Sequence, residues 1–215
     1  MKPDQRRARL QEARLYLCVG VREDLAAFLD AVLGAGVDIV QLRDKNADAA
    51  TQVRAAQTFR AAADRHGALF IFNDRADLAL ATDADGVHVG QDDLPPSMVR
   101  ALVGEQMLIG RSTHSRAEIE TSNREPVDYI GVGPVNATPT KPGRAGTGLE
   151  LVRDAGAVAT RPWFVTGGMD ATTLPATMHA GCTRAVVVRA ITEAIDPGHA
   201  TRLVASVLSG LPSAR

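Results

Sequence analysis

Short apolar, often β-branched runs alternate with longer amphipathic segments along nearly the whole chain. The runs are Leu15 to Val19, Asp38 to Leu42, Ala68 to Phe72, Gly86 to Val89, Met107 to Gly110, Tyr129 to Val132, Trp163 to Thr166 and Ala185 to Val188. A run that is apolar at successive positions reads as a strand buried on both faces, as in a parallel sheet. The segments between them carry helical spacing. Leu25, Phe28, Leu29, Val32 and Leu33 form one stripe, with Gly34 as its expected stop, and Val53, Ala56 and Phe59 form another. A short helix is expected through Leu78-Ala79-Leu80, and an apolar one after Pro95-Pro96 through Met98, Leu102 and Val103. Ser115 and Glu118 have capping-box spacing. The helix after the seventh run is expected to begin near Asp170, although Pro175 falls inside its pattern. Asp196-Pro197 opens a final helix carrying Leu203, Val204, Val207 and Leu208. About eight strand–helix units without a long linker predict an α/β fold, a single (β/α)8 TIM barrel. Residues 1–215 form one domain in this reading, with 1–14 a polar N-terminal extension or helix. The rival, a doubly wound open sheet, normally needs fewer units, and no G-x-G-x-x-G follows the first run.

Composition narrows the function classes. A formal net charge of -1 supplies no basic field to gather nucleic acid, and aromatic residues at 4% are too few for base-stacking platforms. Met1 to Arg14 lacks the apolar core of a secretory signal, and no run is long enough to span a membrane. Cys18 and Cys182 lie far apart in apolar contexts and read as reduced, buried thiols. The expectation is a cytoplasmic protein with small-molecule partners, no nucleic acid and no membrane; a homo-oligomer is compatible with it.

Charged groups stand where the apolar runs end, and in a barrel those ends meet at one mouth. Gln41-Leu42-Arg43-Asp44-Lys45 follows the second run. Alternation puts Gln41, Arg43 and Lys45 on one side and Leu42 on the other. Arginine offers a planar fork to phosphate oxygens and lysine a compact point charge; the alternative is a solvated loop with surface ion pairs. Asn73-Asp74-Arg75 and Gln91-Asp92-Asp93 end the third and fourth runs. Asp74 and Asp93 could supply the carboxylates that magnesium takes together with waters and substrate phosphates, with Asp92 a weaker candidate. Each could instead cap the helix or turn that follows it.

The fifth run ends in Arg111-Ser112-Thr113-His114, where a hydroxyl can meet a phosphate or cap a helix. His114 reads as structural or as a site wall, and His88 as a packed neutral histidine. The long loop Asn136-Ala137-Thr138-Pro139-Thr140-Lys141-Pro142-Gly143 suits a phosphate-binding lid, or else a surface loop. Gly167-Gly168 and Val188-Arg189 end the last two runs, where barrels bind phosphomonoesters through backbone N–H groups. Two anion sites in one mouth point to two phosphorylated substrates, or to one that is bisphosphorylated.

Taken in order, Gln-Leu-Arg-x-Lys, Asn-Asp-Arg, Gly-Val-His-x-Gly-Gln-x-Asp, Ser-Thr-His, Gly-Pro followed by Thr-Pro-Thr-Lys, and Gly-Gly resemble the thiamine phosphate synthase family from Leu15 to Pro197. The resemblance implies a transferase. It joins hydroxymethylpyrimidine diphosphate to a thiazole phosphate, also in carboxylated form, giving thiamine phosphate and pyrophosphate with Mg2+ as cofactor. It implies that Gln41, Leu42, Arg43, Asp44, Lys45 and Asn73 bind the pyrimidine diphosphate and that Asp74 and Asp93 hold the metal. Ser112 and Lys141 would contact the diphosphate; Arg43, Lys45, Ser112 and Lys141 form the catalytic set. Thr138, Pro139, Thr140, Gly168, Val188 and Arg189 would meet the thiazole phosphate, and Tyr16 the pyrimidine pocket. The chain departs from the family in Arg189, commonly serine, and in Val19-Gly20, often Thr-Asp. A thiazole tautomerase-like relative and a non-catalytic phosphate-ligand sensor are the rivals; the first would lack the diphosphate machinery, and the second would need an effector surface.

Overall fold

The structure, a computed structural model, describes residues 2–137 and 145–210. Eight parallel strands close into a barrel in sequence order: β1 (Leu15–Val19), β2 (Ile39–Leu42), β3 (Leu69–Asn73), β4 (Gly86–Val89), β5 (Leu108–Thr113), β6 (Tyr129–Val132), β7 (Trp163–Val165) and β8 (Ala185–Val187). Closure is made by β8 against β1, with Leu15, Tyr16 and Leu17 opposite Ala185, Val186 and Val187. The helices are α1 (Pro3–Glu12), α2 (Leu25–Gly34), α3 (Ala49–His66), α4 (Ala76–Ala81), α5 (Pro96–Val103), α6 (Arg116–Ser122), α7 (Gly148–Val158), α8 (Leu174–His179), α9 (Arg189–Thr192) and α10 (Pro197–Leu208).

Strand parity divides the apolar residues into two layers. Outward residues such as Leu17, Val40, Leu42, Phe70, Phe72, Val87 and Ile109 pack under the helices, against Phe28, Leu29, Val32, Ala56 and Phe59. Inward residues Tyr16, Ile39, Leu69, Ile71, Leu108, Tyr129 and Phe164 fill the barrel with Leu10 of α1. Tyr16 and Tyr129 each meet Phe164 edge-to-face, with centroids 5.5 and 5.8 Å apart. The barrel is therefore solid at its lower end, and any cavity must open at the C-terminal ends of the strands.

The N-terminal extension closes the floor. Asp38, Asp85 and Asp128 each immediately precede an even-numbered strand. Each accepts a hydrogen bond from a backbone N–H of the strand before it, at Leu15 (3.0 Å), Phe70 (2.9 Å) and Ile109 (2.8 Å). Helix α1 then supplies one arginine to each, Arg9 to Asp38 (3.0 Å), Arg6 to Asp85 (2.8 Å) and Arg7 to Asp128 (3.3 Å). The polar stretch that composition marks as an extension is thus an ion-paired plug, with buried Leu10 at its centre.

Several boundaries differ from the sequence reading. Strand β5 runs on to Thr113, because Arg111, Ser112 and Thr113 stay in register with Ile130, Gly131 and Val132. Helix α8 starts at Leu174 rather than near Asp170. Pro175 lies in its first turn, where a missing N–H costs nothing, and the Asp170 carboxylate accepts the Thr172 and Thr173 N–H groups before it. Helix α2 includes Gly34, and its chain turns at Gly36, whose φ is +115°. On α5 the buried side is Pro96, Val99 and Val103, which leaves Met98 and Leu102 exposed.

Candidate active site

The barrel mouth holds an open cavity of about 740 Å³ walled by inward positions of all eight strands and their tails. As alternation requires, Gln41, Arg43 and Lys45 face it, as do Asn73, Asp74, Asp93 and Ser112. Leu42 points the other way, into the layer beneath the helices. Asp44 does not reach the cavity either: its carboxylate accepts the N–H groups of Val21 (3.1 Å), Asn46 (3.0 Å) and Ala47 (3.0 Å) and staples two rim loops together. Asp92 is exposed and outside the lining.

Lys45 Nζ lies 3.0 Å from Asp74 Oδ2. Asp74 sits in the left-handed region at φ +61°, held by its N–H to the His88 carbonyl at 2.8 Å. It is not a helix cap: Arg75 occupies the cap position of α4, and the Asp74 side chain turns into the mouth. Asp93 does cap its turn, accepting the Gly90 N–H at 2.7 Å, and its carboxylate also borders Asp74. Burial, followed by the adjacent Asp93 carboxylate, raises the Asp74 carboxyl from its ordinary value against the pull of Lys45. Two acidic groups pressed together with one lysine leave the pair short of positive charge. Among the described residues no group of three or more His, Cys, Asp or Glu gathers around a common point. Two carboxylates nevertheless match a cation that keeps most of its waters, as magnesium does. Arg111 braces this corner from outside, donating to the Gly90 carbonyl at 2.5 Å and to Gln91 Oε1 at 3.1 Å.

A second cavity, of about 870 Å³, adjoins the first and shares Thr166, Val186 and Val188 with it. Gly167, Gly168, Arg189 and Ala190 stand in its wall, together with Pro134, Met169 and the acidic residues Asp170 and Glu193. Gly167 has φ +103°, and a Cβ there would come within 2.6 Å of the Pro134 ring and backbone. Gly168 has φ +66°. These two positions need glycine, and the result is bare backbone facing the cavity. Arg189 is exposed at this rim as the first residue of the short helix α9. Thr138, Pro139, Thr140 and Lys141 lie outside the described residues.

Parity also brings in residues to which the sequence reading assigned little. His88, which read as packed within its strand, lines the cavity, and so does Cys18, which read as buried. Tyr129, Gly131, Phe164 and Thr166 line it as well. The inward alternation of each strand was the signal that could have found them. His114 is structural, its Nδ1 paired with the Gly133 carbonyl.

A family model for thiamine monophosphate synthase matches residues 15–191. Thiamine-phosphate synthase of Streptomyces avermitilis is 54% identical over 200 residues, covering 91% of this chain and 93% of the relative. That of Acidothermus cellulolyticus is 50% identical over 208 residues, covering 94% and 98%. The solved structure of thiamine phosphate pyrophosphorylase from Pyrococcus furiosus superposes with a TM-score of 0.85 at 27% identity, over 95% of this chain and 98% of that one.

Proposed function

The chain belongs to the thiamine monophosphate synthase family, and on that premise we propose that its two adjoining cavities hold the two substrates of one alkyl transfer. The activity is that of a thiamine-phosphate synthase. The pyrimidinylmethyl group of hydroxymethylpyrimidine diphosphate passes to the nitrogen of a thiazole phosphate, and pyrophosphate leaves. The observation that carries the assignment of residues is the cluster of Arg43, Lys45, Asp74 and Asp93 in one cavity wall, beside a second cavity lined by backbone at Gly167 and Gly168.

The diphosphate belongs at Gln41, Arg43, Lys45, Asn73 and Ser112, with Lys141 reaching it from the loop after β6. Leu42 and Asp44 can take part only through their backbone, since their side chains are engaged elsewhere. The thiazole phosphate belongs at Gly168, Val188 and Arg189, with Thr138, Pro139 and Thr140. Asp74 and Asp93 would hold Mg2+, which supplies charge to the leaving pyrophosphate when bound. The chemistry is dissociative: the C–O bond to diphosphate breaks with its electron pair on oxygen, the aminopyrimidine spreads the positive charge, and the thiazole nitrogen forms the new bond. Arg43 and Lys45 neutralise the departing anion, and the shared wall at Thr166, Val186 and Val188 keeps the two rings in contact. No nucleophile–base pair is required. The reaction is placed in the cytoplasm.

Mixing the protein with both substrates should give thiamine phosphate and pyrophosphate in equal amounts. Stripping divalent cations with a chelator should lower the rate about a hundredfold or more, and added magnesium should restore it. A rate indifferent to chelation would remove Asp74 and Asp93 from the metal role. Binding of the thiazole phosphate without product would instead favour a tautomerase-like reading. Gly168→Ala forces a Cβ into a left-handed residue, 3.1 Å from Asn136 Cβ. It should raise KM for the thiazole phosphate about five- to tenfold and spare KM for the diphosphate substrate. Equal changes in both would place the thiazole phosphate elsewhere.

A further inference from the structure

Beneath the charged rim, five side chains from five strands or strand ends form one continuous hydrogen-bonded row. Gln41 Nε2 lies 2.7 Å from Tyr16 OH. Tyr16 OH lies 2.9 Å from Tyr129 OH. Tyr129 OH lies 3.3 Å from His88 Nδ1, and His88 Nε2 lies 3.0 Å from Ser112 Oγ. The row crosses the barrel from β2 to β5 and ends on the hydroxyl assigned above to the diphosphate.

Direction follows from the donor inventory. An amide nitrogen only donates, so the Tyr16 hydroxyl accepts from Gln41 and its own proton turns to Tyr129. The partner that the row offers to the Tyr129 proton is His88 Nδ1, so a row continuous in one direction has Tyr129 donate there. A neutral imidazole with Nδ1 accepting carries its proton on Nε2, where it faces Ser112. Burial pushes both tyrosine hydroxyls well above their ordinary values, so each keeps the proton that the row needs. The barrel has made room for this. A Cβ on Gly110 would come within 2.5 Å of both His88 Nδ1 and the Tyr129 hydroxyl.

We propose that His88 is a positioning residue: Tyr129 holds it as the Nε2–H tautomer, and it donates to Ser112 Oγ so that the serine proton points into the cavity at an oxygen of the departing diphosphate. With the opposite tautomer the serine would donate to His88 and turn lone pairs on the anion, which is repulsive where charge is developing. The tautomer is a property of the free protein; only the contact with diphosphate rests on the function proposed above.

The test begins with nitrogen-15 NMR of histidine-labelled protein without ligands, with His88 assigned by the signal lost in His88→Gln. A protonated Nε2 and bare Nδ1 are expected, and a neutral ring protonated at Nδ1 overturns the row. Tyr129→Phe should let both tautomers coexist and lower kcat about ten- to a hundredfold, with KM for the pyrimidine diphosphate little changed. His88→Gln, whose amide can still donate to Ser112, should stay several-fold more active than His88→Met, which cannot. Equal losses in folded Gln and Met variants overturn the positioning role. If the tautomer is as expected but kcat is unchanged in Tyr129→Phe and His88→Met, the serine–diphosphate contact fails instead, and the positioning role with it.

Discussion

Replacing Asp93 by alanine is expected to cut turnover about a thousandfold, the equivalent of roughly 4 kcal/mol of transition-state stabilisation. Asp93 is one of the two carboxylates that meet at the mouth, and the departing pyrophosphate gathers its negative charge there. Its Oδ2 also accepts the Gly90 N–H at 2.7 Å, so alanine removes a turn cap as well, at a cost of about 1 kcal/mol in stability. Asp93→Asn separates the two effects. It keeps an acceptor for Gly90 and removes the charge, so it should fold as the parent does and still turn over slowly. Steady-state rates at saturating magnesium, beside urea unfolding of each variant, decide the matter. A near-normal rate in either variant would sink the metal role of Asp93.

The largest stability effect is expected at the other end of the barrel. Asp85 is fully buried and accepts from Arg6 (2.8 Å), Arg60 (2.7 Å) and the Phe70 N–H (2.9 Å). Asp85→Ala strips two largely buried guanidinium groups of their shared counter-ion, leaving Arg60 only the exposed Asp64, and should cost about 3–5 kcal/mol. The exposed pair Arg75–Asp77 is a control: its removal should leave unfolding unchanged. A loss below about 1 kcal/mol for Asp85→Ala in urea unfolding would mean that α1 does not depend on this anchor. If the anchor holds, deleting α1 should destabilise by more than the single substitution, because Leu10 also leaves the barrel floor.

The two expectations share a cause. Both ends of the barrel concentrate charge because strand ends leave backbone groups for side chains to satisfy. At the floor, aspartates just before strands accept N–H groups and recruit arginines from α1. At the mouth, the acidic pair has a single lysine beside it, and that deficit of positive charge makes the pair a candidate for a cation, while Arg43 and Lys45 in the same wall offer positive charge to a diphosphate.

Much of this was legible in the chain itself. The eight apolar runs were recognisable because a strand covered on both faces must be apolar at every position, and the charged tails because polar groups return where cover ends. Strand parity by itself places Gln41, Arg43 and Lys45 on one side of the chain. What failed failed locally. Ser112 read as lying beyond its strand because Arg111, Ser112 and Thr113 are polar, yet Arg111 and Thr113 are buried under neighbouring segments and Ser112 faces the mouth. His88 read as filler because its partners Tyr129 and Ser112 lie 41 and 24 residues away.

Sequence alone determined the strand order, the closed barrel and the set of charged groups at its mouth, since hydrophobic periodicity and strand ends are local properties. Only the tertiary structure decided that α1 plugs the floor, that Asp44 staples loops instead of facing the cavity, and that Gln41, Tyr16, Tyr129, His88 and Ser112 join in one row. Those facts depend on which side chains meet across the barrel, and distance in space is not written in distance along the chain.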